Sequence, residues 1–103
     1  MTKKVIEGKL YNTEAATKVA SWDNGVYGND FRACDEELYQ TKKGNWFMVG
    51  SGGPMSKYSV TRGNSTSGTT EIVPMTKEEA YEWLEKNNEI ELIEEYFGQI
   101  EEA

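Results

Sequence analysis

Residues 36–49 constrain the fold more than any other stretch. Glu36-Glu37-Leu38-Tyr39-Gln40-Thr41 reads as a strand, Lys42-Lys43-Gly44-Asn45 as a turn, and Trp46-Phe47-Met48-Val49 as a second strand. Gly44-Asn45 suits the left-handed backbone of a tight connection between antiparallel strands. Gly50-Ser51-Gly52-Gly53-Pro54 is expected to stop the second strand. An antiparallel hairpin is therefore the part of the fold that local sequence specifies best.

The flanking segments carry weaker signals. Lys3 to Tyr11 reads as one strand in which Gly8 leaves room for a bend. Asn12 or Thr13 is placed to cap a short helix over Glu14 to Ser21, where Ala15, Val19 and Trp22 share a helical face. Asp23-Asn24-Gly25 ends it as a turn. Val26 to Cys34 is ambiguous: Tyr27, Phe31 and Cys34 fit a helical turn, whereas Gly28-Asn29-Asp30 favours a loop. Met55 to Val60 fits a short helix or an extended piece, Thr61 to Thr70 a flexible polar loop, and Glu71 to Pro74 a strand at an edge or end. Thr76-Lys77-Glu78-Glu79 is a capping box that opens a helix running to about Asn87. A last helix should follow, with Ile90, Ile93, Phe97 and Ile100 on one face, joined by Tyr96. Glu91, Glu94, Glu95 and Glu102 face away from that stripe. These readings combine into a single α+β domain over residues 1–103. It has an antiparallel sheet of three to four strands, helices on one face, and an acidic helix pair within residues 76–103.

At 103 residues and 37% apolar content, the chain can build one small core. Its 3 Trp, 6 Tyr and 3 Phe supply much of the area, at roughly 150–250 Å² apiece. With Cys34 the sole cysteine, no intrachain disulfide can form, which argues against a small secreted scaffold. Glu7 interrupts any apolar run near the N-terminus, and no stretch approaches a membrane span. The expected compartment is the cytoplasm, with no membrane partner.

Chemistry is sparse. The chain has no histidine, which removes the Ser-His-Asp and Cys-His arrangements and the usual base near neutral pH. One cysteine builds neither a zinc site nor a redox pair. The run Gly50-Ser51-Gly52-Gly53 lacks the GxxxxGK[ST] spacing of a phosphate loop and is read as a turn. Glu7-Gly8-Lys9 matches the E-x-K end of a metal-dependent nuclease signature. Its missing acidic ligand would have to be Asp30 or Asp35, so that reading is disfavoured. Asp35-Glu36-Glu37 is read as solvated charge before a strand. No catalytic residue, metal site or cofactor is expected.

Charge is the stronger functional signal. Residues 1–76 hold nine basic and eight acidic side chains, whereas residues 77–103 hold two lysines and ten glutamates; the whole chain carries −7. An acidic quarter of that strength repels nucleic acid and steers toward basic partners. Direct nucleic-acid binding through Lys42, Lys43, Lys57 and Arg62 is the disfavoured alternative. The segment Gly50 to Tyr58 is expected to turn sharply on glycines with φ > 0. Met55 and Tyr58 should point inward and Lys57 outward, as a contact whose removal leaves stability nearly unchanged.

Several segments together resemble a family of short proteins from plasmids, phages and integrative elements of Gram-positive bacteria. The resemblance rests on Lys4-Val5-Ile6-x-Gly8-Lys9-Leu10-Tyr11-Asn12-Thr13, Asn29-Asp30-Phe31 and Glu37-Leu38-Tyr39-x-Thr41-Lys42-Lys43-Gly44-x-Trp46-Phe47. It continues through Gly50-x-Gly52-Gly53-Pro54-Met55-Ser56-Lys57-Tyr58 and Pro74-Met75-Thr76-x-Glu78-Glu79-Ala80-x-x-Trp83. Some proteins of this kind look like anti-CRISPR inhibitors of the type II effector nuclease. The resemblance implies a non-catalytic inhibitor or decoy that binds a basic nucleic-acid-handling protein, such as a CRISPR effector nuclease or its guide complex. The candidate partner-binding residues are Glu91, Glu94, Glu95, Glu102 and Lys57. The alternatives are a small nucleic-acid-binding or regulatory accessory protein of a mobile element and, last, a Mg²⁺-dependent nuclease using Glu7 and Lys9.

Overall fold

The computed structural model describes residues 3–25 and 31–102. It is an α+β fold, built from a five-stranded antiparallel sheet, a separate two-stranded sheet and two helices. The two-stranded sheet is a hairpin of β1 (Lys3–Ile6) and β2 (Lys9–Asn12), where a single strand was expected. Glu7 and Gly8 both take positive φ, 50° and 79°, the backbone that a two-residue hairpin turn with the twist of its strands requires. Gly8 thus permits a complete reversal and not merely a bend.

The main sheet holds β3 (Thr17–Asp23), β4 (Cys34–Gln40), β5 (Trp46–Gly52), β6 (Ser59–Arg62) and β7 (Ser65–Met75), in the order β3-β4-β5-β7-β6. The β4–β5 hairpin forms as the sequence specifies: Gln40 pairs with Trp46, Leu38 with Met48 and Glu36 with Gly50. Its turn closes through hydrogen bonds between Thr41 and Asn45, with Gly44 at φ 88°. Three to four strands were expected, and two of the additional ones replace other structures. The helix expected over Glu14 to Ser21 is instead β3, paired along β4 with a register shift between Lys18 and Ala20. That bulge lets Val19, Ala20 and Trp22 all pack on one cluster, which the helical spacing mimicked. Asn12 does accept an N–H bond, from Glu14, but it closes a turn. An eight-residue helix has little stability of its own, whereas β3 gains a full ladder. The loop expected over Thr61 to Thr70 is the β6–β7 hairpin, turned at Gly63. Thr61 and Thr66 meet across it through their hydroxyls. Its residues are almost all exposed, so no apolar alternation marked them. The helical turn weighed for Tyr27, Phe31 and Cys34 falls partly outside the described residues; Cys34 opens β4.

Alternation along the strands gives the sheet two covered faces. On one, Leu38, Trp46, Met48 and Tyr58 pack beneath α1 (Lys77–Lys86) and α2 (Ile90–Phe97), which contribute Ala80, Trp83, Leu84 and Ile93. On the other, Tyr39, Phe47, Val49 and Ile72 receive Tyr11 and Ile6 of the hairpin. Phe47 is the pivot, stacked on Tyr39 at 5.2 Å and met edge-on by Tyr11 at 5.4 Å. The expected capping box is present: Thr76 Oγ1 accepts from the Glu79 N–H, and Glu79 Oε1 accepts from the Thr76 N–H. Of the α2 stripe, Ile93 is buried and Phe97 stacks on Trp46, but Ile90 is half exposed. Glu102 lies beyond the helix. No helix is long and apolar enough to cross a membrane among the described residues.

Candidate functional site

Two features stand out, a buried carboxylate and an exposed acidic surface. The first lies on the helix-covered face. Register alternation turns Glu36 of β4 inward, opposite Gly50, where it is only 5% exposed. An isolated charge there would be costly. Instead three donors reach the carboxylate. Trp83 Nε1 of α1 donates to Oε1 at 3.0 Å, the Tyr58 hydroxyl donates to Oε2, and Lys57 Nζ lies 2.7 Å from Oε2. Burial works against the charge of Glu36, but the bonds from Lys57, Tyr58 and Trp83 outweigh it and hold the carboxyl below its ordinary value of 4.5. Burial, together with the bond to this carboxylate, pushes the Tyr58 hydroxyl far upward.

Gly50 makes room for this arrangement, because a Cβ there would collide with the Tyr58 ring. The glycines of the 50–53 run were expected to take positive φ, but none does. They are required by space: β5 continues through Gly52, and a Cβ on Gly53 would come within 2.6 Å of the Phe31 carbonyl. Tyr58 turns inward as expected, but Met55 is 67% exposed. Ser56 is tied into the turn, since its hydroxyl donates to the Gly53 carbonyl and accepts from the Tyr58 N–H. Lys57 is half exposed. Besides its ion pair it lies over the rings of Trp22 and Tyr58, at 5.5 and 5.4 Å. Its ammonium is thus engaged inside the fold. Glu36, read in the sequence as solvated, is the centre of the network; strand parity alone hinted at it.

The second feature is acidic. Glu91, Glu94 and Glu95 are exposed on α2, and Glu102 is exposed after it. Glu94, Gln99, Ile100, Glu101 and Glu102 line an open cleft of about 620 Å³. The structure thus joins Glu94 and Glu102 and adds Glu101, which was not among the carboxylates expected to face away from the apolar stripe. Among the described residues, none of these carboxylates has a lysine or arginine within ion-pair distance. Glu94 and Glu95 occupy the last turn of α2, which holds no basic residue. Carboxylates at that end oppose the helix dipole, at a cost of about 0.3–1 kcal/mol each.

The remaining candidates are not gathered into one site. Lys42 and Lys43 sit in the β4–β5 turn, near the Met75 end of β7, while Arg62 pairs with Ser65 at the other end. The length of an 11-residue strand, roughly 30 Å, separates them. Glu7 lies in the β1–β2 turn, Asp35 bonds the Ser51 hydroxyl at 2.5 Å, and Asp30 lies outside the described residues. Among the described residues no group of three His, Cys, Asp or Glu side chains could hold a metal ion. No protein-family model, curated protein or solved structure matches the chain.

Proposed function

We propose that this chain is a non-catalytic inhibitor or decoy of a mobile genetic element that acts in the cytoplasm. It binds a basic, nucleic-acid-handling protein through the acidic surface of its C-terminal helices. The observation that carries this reading is the uncompensated charge of Glu91, Glu94, Glu95, Glu101 and Glu102, two of them at the end of α2 where they cost stability. Charge placed against the helix dipole and left without an internal cation suits an outside cation better than it suits the fold. The family resemblance narrows the partner to a type II CRISPR effector nuclease or its guide complex, with the carboxylates standing where nucleic-acid phosphates would lie.

The test is association with such an effector, measured across a salt series. Association should slow as ionic strength rises, because steering by charge is screened. Replacing Glu91, Glu94, Glu95 and Glu102 together by Gln should weaken binding and flatten the salt dependence while the chain stays folded. Equal affinity of the quadruple variant and the parent would rule the mechanism out.

A further inference from the structure

On the face of the sheet away from the helices, β2 and the β4–β5 turn enclose a concavity of about 410 Å³. Lys9, Leu10, Tyr11, Asn12, Lys42 and Lys43 supply much of its lining. Among the described residues no acidic side chain lines this cavity. Lys18 and Lys57 are each held by a glutamate, whereas among the described residues Lys9, Lys42 and Lys43 have no carboxylate within ion-pair distance. Three unneutralised ammonium groups around one hollow repel one another until an anion joins them.

We propose that this hollow binds a small phosphate-bearing molecule. A phosphomonoester carries about −1.5 to −2 charge at neutral pH and three acceptor oxygens, which matches several lysines better than one carboxylate does. The volume lies within the range of about 300–1,000 Å³ typical of small-molecule sites. Leu10 is 58% exposed at the rim, so a ligand with an apolar body would cover it. The frame is fixed beforehand. Asn12 Oδ1 already accepts from the Glu14 N–H, which leaves its amide nitrogen to donate. The turn is closed by Thr41 N–H to the Asn45 carbonyl at 2.8 Å and Asn45 N–H to Thr41 Oγ1 at 3.0 Å. A small ligand is favoured over a nucleic-acid strand because the net charge of −7 repels a long polyanion. A compact anion in the hollow is shielded from charges lying more than about 10 Å away.

Titration of the ¹⁵N-labelled chain with AMP as the probe, adenosine as the control, and a 5′-phosphorylated oligothymidylate as the competitor tests this. AMP should shift the amide signals of residues 9–12 and 41–45 saturably, and adenosine should not. Replacing Lys9, Lys42 and Lys43 by Gln should weaken AMP by more than about tenfold, whereas Lys3→Gln with Lys4→Gln should not. Circular dichroism would show that the triple variant folds, as expected for exposed side chains without partners. Absence of saturable shifts, or shifts spread evenly over Lys3, Lys4 and Lys18, would overturn the proposal. So would tighter binding of the oligonucleotide than of AMP, which would assign the hollow to a nucleic-acid strand.

Discussion

Lys57 shows how one side chain changes meaning when its neighbours are known. In the sequence it follows Gly50-Ser51-Gly52-Gly53-Pro54 and looks like a free surface cation; in the fold it closes the third bond to a buried carboxylate. Lys57→Ala should therefore destabilise the protein, by about 1–2 kcal/mol once its half exposure is allowed for, as read from denaturant midpoints. A loss under 0.5 kcal/mol, the ordinary size of a surface substitution, would mean that Tyr58 and Trp83 suffice. The carboxylate itself sets a pH dependence. The folded state holds Glu36 below its ordinary value of 4.5, so the unfolded chain takes up the proton first as pH falls. The stability that this linkage supplies is present above pH 4.5 and is lost as pH drops through the lower folded value. Glu36→Gln should remove that contribution. Urea unfolding of the two proteins between neutral and acid pH should show their stability difference shrinking below 4.5; a constant difference would refute the assignment.

Elements that carry their own instructions were legible. The β4–β5 hairpin has its turn glycine and flanking apolar runs within 14 residues, and α1 has its start in the capping box and its stop at Asn87. Thr76→Ala should cost about 1 kcal/mol, and thermal melting would check it; no change would mean that packing of Ala80, Trp83 and Leu84 fixes the helix start unaided. Elements that exist only by pairing were not legible. β3 borrows its stability from β4, and its bulge gave Val19 and Trp22 a helical spacing. β6 and the first half of β7 are polar strands held by a ladder, with Ser and Thr on both faces, and they read as a loop. The acidic stripe of the candidate site was visible because helical periodicity is local. The Glu36 network was not, because Tyr58 and Trp83 lie 22 and 47 positions away along the chain.

The whole molecule is three layers deep: a hairpin, a twisted sheet and two helices. Phe47 and Trp46 are adjacent on β5 and anchor opposite faces, the first to Tyr11 and the second to Tyr96 and Phe97. The acidic surface belongs to the helix layer and the lysine hollow to the hairpin layer, so the sheet separates two surfaces of opposite sign. The clamp on Glu36, in turn, spans β4, the turn before β6 and α1, so it closes only after these distant parts have docked. Contacts that require long loops to close tend to form after the folding barrier is crossed. The clamp should therefore act as a brake on leaving the native state rather than as a guide toward it. Tyr58→Phe, which keeps the ring and removes the hydroxyl, should speed unfolding several-fold while refolding keeps nearly its parent rate. Stopped-flow chevrons would show the change on the unfolding arm, and a slowed refolding arm would instead place the clamp in the nucleus. A protein secured in this way owes its persistence to how slowly it comes apart.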